Sequence, residues 1–186
     1  MVREVGLAGL SIRDLAQRVG ITAPTIYAYF DSKIAIYDAM FNEAATAFAA
    51  RMAEAYSEVA PRDVVIAVVH RFVDFCVNNP ARYQLLFQRT LPGFEPSPAA
   101  YAPALEAQAI VRQRLARCGV DTGRQFDLYT AFYTGLVSQQ LANDPGGDRW
   151  IGLIDESVDM LLDHCQRPPH RVPANLAPHQ LPGGSP

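Results

Sequence analysis

Across residues 11–165 the apolar side chains return every three or four positions, and no stretch alternates convincingly between apolar and polar at a period of two. The first spacing puts residues on one side of a helix, whereas a half-buried strand needs alternation. The expected fold class is therefore all-α. The residues between the stripes agree. Ser11 to Asp14 fits a capped helix start, with a hydroxyl for an orphan N–H and an acid in the first turn. Ile12, Leu15, Ala16 and Val19 follow at helical spacing, and Gly20 suits a position of positive φ just past the helix. Thr22 can cap a short second helix, about Ala23 to Phe30. Pro24 falls in its first turn, where a missing N–H does no harm. Asp31 or Ser32 caps a long third helix running past Met40, Phe48 and Met52 toward Val59.

Pro61 opens a further helix, with Val65, Val68, Val69, Phe72, Phe75 and Cys76 on one stripe, up to Asn79 and Pro80. A short helix carries Tyr83, Leu86 and Phe87. A loop spans Pro92 to Pro98, and a helix then runs from about Ala99 to Cys118. The next, about Arg124 to Asn143, has Tyr129, Phe132, Tyr133, Leu136 and Gln140 on one stripe. After a break at 144–147, a last helix holds Ile151, Ile154, Val158, Leu161, Leu162 and Cys165. From Arg167 onward Pro, His, Ala and Gly dominate, which reads as a disordered tail. The expected organisation is a head over residues 1–41, a helical body over 42–166 and a tail over 167–186.

Several function classes fall away on composition. No apolar run reaches the roughly 18–20 residues of a membrane span. The start, Met1 to Glu4, lacks the apolar stretch of a signal peptide. The expectation is a cytoplasmic protein with no membrane partner. Cys76, Cys118 and Cys165 are far apart, odd in number and never paired as C-x-x-C, which argues against a disulfide framework or a zinc site. They read as buried small hydrophobes. His70, His164, His170 and His179 lack ligand spacing, and no H-E-x-x-H, P-loop or G-x-S-x-G motif occurs. His70 and Asp74, at i and i+4, fit a helix ion pair. No catalytic residue, metal or cofactor is expected, and an enzyme ranks well below a regulator. The net charge is −3. Within residues 1–40 Arg3, Arg13, Arg18 and Lys33 balance Glu4, Asp14, Asp31 and Asp38, so charge alone does not suggest DNA.

The head does. Two short helices joined by a glycine turn suit a helix-turn-helix, whose second helix sets its first residues against base edges in the major groove. Those residues are Thr22, Ala23, Pro24 and Thr25, followed by Tyr27, Ala28 and Tyr29. Small side chains let the backbone approach the bases. Thr25 can bond a base edge or a phosphate, or touch a thymine methyl. Tyr27 and Tyr29 can reach phosphates. A core role for the tyrosines is the alternative, and Ile26 and Phe30, four apart, fill that role better. Lys33 sits in the first turn of the third helix, where the dipole disfavours a cation by ~0.3–1 kcal/mol and a bound phosphate would reverse that cost. A solvated surface lysine is the plainer reading.

The ordered set Leu15-Ala16, Gly20, Thr25-x-Tyr27, Tyr29-Phe30 and Ser32-Lys33, lying between Leu10 and Lys33, resembles the DNA-binding signature of the TetR family. The resemblance implies a homodimer whose two heads bind a palindromic operator in double-stranded DNA. It places Arg13, Ala23, Thr25, Tyr27, Tyr29 and Lys33 where such proteins touch DNA. Ala23 stands where the family often carries a longer polar residue, so it does not imply direct base reading there. The resemblance also implies a helix before Ser11. Only ten residues precede Ser11, and Gly6 to Leu10 reads as a turn, so most of that first helix is expected to be lacking. Ile12, Leu15, Ile26 and Phe30 would then be partly exposed. A start upstream of Met1 and weakened DNA binding are the two alternatives. Asn79 to Phe94 and Gln139 to Asp144 resemble one subgroup of the same family.

Most aromatic residues lie in the body. Phe72, Phe75, Tyr83, Phe87, Tyr101, Tyr129, Phe132 and Tyr133 are candidate walls for a pocket taking a small, largely apolar effector. The alternative is an ordinary helical core. By the resemblance the last two long helices dimerise, with Gly135, Gln139, Trp150, Val158, Leu161 and Leu162 as candidate interface residues. The resulting expectation is a one-component transcriptional regulator, a repressor, released from DNA by its effector. Its rival is a dimeric small-molecule-binding protein with impaired or lost DNA binding.

Overall fold

The computed structural model describes residue 7, residues 9–55 and residues 60–167. Residues 1–6, where the expected first helix would end, and the expected tail beyond Arg167 lie outside the described residues. Among those described, every regular element is helical: α1 (Ile12–Val19), α2 (Ala23–Tyr27), α3 (Lys33–Ala53), α4 (Pro61–Asn78), α5 (Pro80–Phe87), α6 (Pro98–Ala116), α7 (Gly123–Asn143), a 3₁₀ turn (Ile151–Leu153) and α8 (Ile154–Gln166). The all-α expectation holds. No single helix among them is long and apolar enough to cross a membrane. The pair α4 and α5 passes such a test only when joined, across a 111° bend.

The helix ends follow the capping chemistry of the sequence. Ser11, Thr22, Ser32, Asn79, Ser97 and Thr122 each accept a backbone N–H from three residues on. Gly20 closes α1 at φ 74°, a conformation cheap only for glycine, and lets the Ile21 N–H return to the Ala16 carbonyl. The apolar spacing carries the third helix toward Val59, but it stops at Ala53. Side chains from two other helices take its last carbonyls. Arg114 donates to Met52, Ala53 and Glu54, and Arg71 donates to Glu54 and Ala55. A guanidinium fork at a helix C-terminus satisfies orphan acceptors and opposes the negative dipole end.

Two apolar clusters fill the interior. The larger joins Phe48 and Met52 of α3 to α4, α6, α7 and α8. The other joins Leu7, Leu10, Ala16 and Ile26 to Ile36, Tyr37 and Phe41 of α3, then to Leu85, Leu91 and Ala100. α3 therefore passes unbroken through the expected head–body boundary at 41, and its side chains belong to both cores. Of the head residues expected to be partly exposed, Ile12, Leu15 and Phe30 are half-buried, whereas Ile26 is buried among its neighbours. Of the cysteines, Cys76 is buried, but Cys118 and Cys165 are only half-buried; all three are free. Burial pushes all three thiols up from the ordinary range. His70 does not pair along its own helix with Asp74. Its carboxylate neighbour is Asp155 of α8, with Nε2 to Oδ1 at 3.9 Å.

One polar residue organises the break between α7 and α8. Gln140 lies on the inward stripe of α7 and is 2% exposed. Its Oε1 accepts the N–H groups of Trp150 (3.0 Å) and Ile151 (3.2 Å). Its Nε2 donates to the carbonyls of Asp144 and Gly147. One side-chain amide thus satisfies four backbone groups of the reversal at 144–151. A buried polar group left without a partner costs about 1–3 kcal/mol. Gln140→Ala should therefore lower unfolding stability by about 2–4 kcal/mol in urea denaturation, whereas Asn143→Ala, on the exposed side of α7, should stay within about 0.5 kcal/mol. Equal effects of the two would contradict this role for Gln140.

Candidate DNA-binding face and effector cavity

The turn of the head is built by its caps. The Thr22 hydroxyl accepts the Thr25 N–H at 3.4 Å, and the two threonine hydroxyls lie 2.9 Å apart. Thr25 is thus held in one orientation while staying exposed. Thr22, Pro24 and Arg13 are exposed too, and Ala23 is half-buried against the head cluster. On α2 only Ile26 turns fully inward. Tyr27 is 51% and Tyr29 79% exposed, which settles the choice between core and surface: neither ring serves the core, which Ile26 and Phe30 fill. Lys33 opens α3 half-buried, with Nζ 5.5 Å from the Tyr37 ring centroid. The eight expected DNA-facing residues thus lie on one continuous stretch, 13–33, and all but Ala23 and Lys33 are open to solvent.

The head is tied to the body at three points along α3. Asp38 accepts the Ser97 N–H at 2.6 Å and the Ser97 hydroxyl at 2.7 Å, where Ser97 is itself the cap of α6. Phe94 packs edge-on against Tyr37 at 5.8 Å and tilted against Phe41 at 6.3 Å. Tyr101 of α6 stacks on Phe41 at 5.9 Å. The Tyr37 hydroxyl donates to the Leu7 carbonyl at 2.7 Å.

In the body, an apolar cavity of about 200 Å³ lies between α3, α4, α5, α6 and α7. Five of the eight expected rings line it: Phe72, Phe87, Tyr101, Tyr129 and Tyr133. Three do not. Phe75 packs against Phe48 at 5.0 Å and lies under the Arg82 guanidinium. Tyr83 is buried, with its hydroxyl donating to the Thr134 carbonyl at 2.8 Å. Phe132 is 48% exposed on the far side of α7. Sequence reasoning assigned no site role to Phe48, Met52, Gln108, Thr130 or Thr134, which also line it. Phe48 and Met52 are readable only as a helical stripe; their meeting with α7 is tertiary. The polar groups are few. The Thr130 and Thr134 hydroxyls bond back to Phe126 and Thr130 carbonyls of their own helix. The Tyr133 hydroxyl lies 3.3 Å from the Ser157 hydroxyl, and burial pushes its pKa up to about 12, so it stays neutral. Among the described residues no group of three His, Cys, Asp or Glu side chains is placed to hold a metal. The arrangement can enclose an apolar ring and offers no charged group to a polar one.

The candidate interface residues divide. On α7, Gly135 and Gln139 fall on an outward stripe with Leu128, Phe132 and Ala142, all exposed. A Cβ at Gly135 would meet nothing, so this stripe is open to close approach. Leu161 is half-buried and lines a groove with Leu128, Phe132 and Met160. Leu162 and Trp150 are half-buried against the core. Val158 differs from the other candidates. It is fully buried within the protomer, because α8 turns Ile154, Ser157 and Val158 inward and Met160 outward.

Comparison with known proteins matches this architecture. The sequence model of bacterial regulatory proteins of the tetR family matches residues 1–40, and that of the tetracyclin repressor-like C-terminal domain matches residues 65–165. The HTH-type transcriptional regulator Rv1816 of Mycobacterium tuberculosis is 33% identical over 101 residues, which cover 50% of this chain and 41% of Rv1816. The match thus spans less than half the length of that relative. Among solved structures, the TetR family transcriptional regulator PfmR of Thermus thermophilus aligns with a TM-score of 0.61 at 19% identity, covering 87% of this chain and 92% of that one. A TetR variant of Acinetobacter baumannii AYE, in complex with minocycline, aligns with a TM-score of 0.57 at 19% identity, covering 88% of each chain. At such identities the structures show a shared fold. The C-terminal model spans more than half of the chain, and the helix-turn-helix precedes it. The chain belongs to the TetR family of DNA-binding transcriptional regulators, a regulatory family and not an enzymatic one.

Proposed function

We propose that this chain is a cytoplasmic one-component repressor. It binds a palindromic operator as a homodimer and leaves it when a small, largely apolar effector occupies the aromatic cavity. In this reading residues 1–41 act as the DNA-binding unit and residues 42–166 as the effector-binding and dimerisation unit. The observation that carries the reading is α3. Its first turn holds Lys33 beside the DNA-facing residues, and its later turns supply Ala45, Phe48 and Met52 to the cavity wall. A 21-residue helix is about 30 Å long at 1.5 Å per residue. A small tilt forced at one end becomes a displacement of ångströms at the other. An effector releases DNA only if it binds the displaced arrangement more tightly than the DNA-competent one.

Arg13, Thr22, Ala23, Pro24, Thr25, Tyr27, Tyr29 and Lys33 form the proposed DNA face. Phe72, Phe87, Tyr101, Tyr129 and Tyr133 form the proposed effector wall. For the interface, the outward stripe of α7 with Leu161 and Met160 supports isologous pairing, in which both copies use one patch. The Acinetobacter TetR variant is solved with minocycline, which supports a small molecule as ligand class for this fold.

The DNA assignment is tested by gel shift on an operator duplex over a range of salt. Lys33→Ala should weaken binding to every sequence and make the slope of log K against log salt shallower by about 0.9, one phosphate's worth. Thr25→Ala should cost about 1–3 kcal/mol more on the operator than on random DNA. Equal losses on both would demote Thr25 to a backbone contact. No operator binding by the full chain would favour the rival reading, a ligand-binding dimer without DNA function.

The interface is tested by light scattering at micromolar concentration. The chain should run at twice its monomer mass, and Phe132→Glu should shift it toward monomer, because a charge would be buried without a partner. A monomeric parent chain, or a Phe132→Glu variant that dimerises as well as the parent, would contradict this surface.

A further inference from the structure

The aromatic cavity shares one wall with a second hollow. Leu86, Phe87 and Tyr101 line the cavity, and the same three residues also line an open groove of about 620 Å³. The cavity alone is about 200 Å³. That is below the roughly 300–1,000 Å³ of ordinary ligand pockets and close to the ~150 Å³ cavity that holds a benzene ring. It has room for a ring-sized group and little else. The groove has an apolar floor, with Phe41, Phe94 and Leu105, and a polar rim of Gln88, Arg89, Thr90 and Glu95. Leu105 is 53% exposed. Arg89 and Glu95 lie 3.9 Å apart and both stand well out in solvent, where such a pair is worth little and either partner can turn to a ligand.

We propose that the effector is an elongated amphiphile that spans both hollows. Its apolar end fills the cavity, its chain passes the wall formed by Phe87 and Tyr101, and its polar end rests at the groove rim. This rests on the effector reading above and adds the shape, the chemical class and a second subsite. The groove also touches the head more directly than the cavity does. Its floor residue Phe94 packs on Tyr37 and Phe41. Tyr37 in turn holds the Leu7 carbonyl and lies under Lys33. The cavity reaches α3 only at Ala45, Phe48 and Met52. The two subsites therefore divide the work: the cavity anchors the ligand, and the groove conveys its presence to the head.

The test uses the full chain and a neutral series, the ω-phenylalkan-1-ols from benzyl alcohol upward, with affinity read by calorimetry and release by operator gel shift. Once the chain passes the wall, each further methylene should tighten binding about threefold to fourfold, and only these longer members should release DNA. Leu105→Gln, at an exposed position, should remove most of that gain and leave benzyl alcohol binding unchanged. At saturating concentrations of a longer member, Phe94→Ala should fail to release DNA, although it binds that member more weakly than the parent chain. Affinity that is flat with chain length, or a Leu105→Gln variant that weakens every member alike, would overturn the groove site while the cavity reading stands. No binding by any member would overturn both.

Discussion

The packing of α3 against α6 is the contact on which the rest of the molecule depends. α3 carries side chains into both apolar clusters, so neither is complete without it. It is fixed along its whole length. Ser32 caps its start, Asp38 grips the α6 cap at Ser97, and Arg71 and Arg114 hold its last carbonyls. Hydrogen bonds to charged groups are worth about 1.5–3 kcal/mol each, more than neutral ones. Charged groups stand in the second turn and at the far end of the helix, so a rigid element is held near both ends.

That arrangement gives a physical basis for linking two distant surfaces. Packed interiors do not deform continuously; they shift between discrete arrangements. The far end of α3 is pinned by guanidinium forks from two helices, while its first turns are held by ring contacts from Phe94, at 5.8 Å, and Tyr101, at 5.9 Å, and by Asp38, whose partner Ser97 lies on the same segment as those rings. Ring contacts re-pack at lower cost than charge-assisted hydrogen bonds break. In the proposed function, a ligand that re-packs these rings tilts α3 about its pinned far end and carries Lys33 and α2 with it.

Much of this was legible in the sequence, for reasons that are local. The helix starts at Ser11, Thr22, Pro61 and Pro80 and the breaks at Gly20 and 144–147 follow from capping and from the geometry of Gly and Pro. What could not be read is which of two stripes on one helix faces in. α7 carries aromatic residues on both, so Phe132 and Tyr133 look alike in sequence. Only the position of α4 and α8 turns Tyr133 inward and leaves Phe132 outside. Val158, expected at an interface, lies inside the protomer for the same reason. His70 meets Asp155 and not Asp74 because helix-to-helix distance, not sequence spacing, selects its neighbour. The end of α3 at Ala53 depends on Arg114, sixty residues on from Glu54. Gln140 was visible as a polar residue on an apolar stripe, a signal of a buried network, but its four partners lie in a turn whose path no periodicity describes.

The central claim is that the effector site, cavity and groove together, and the DNA face are coupled through α3. The most direct measurement is the dissociation constant of one long phenylalkanol with and without a saturating operator duplex. Coupling is reciprocal for binding free energies and typically amounts to about 5–150-fold. The operator should therefore weaken alcohol binding by the same factor by which the alcohol weakens operator binding. An alcohol that binds with the same constant whether or not the operator is present would contradict the coupling, however well each ligand binds alone.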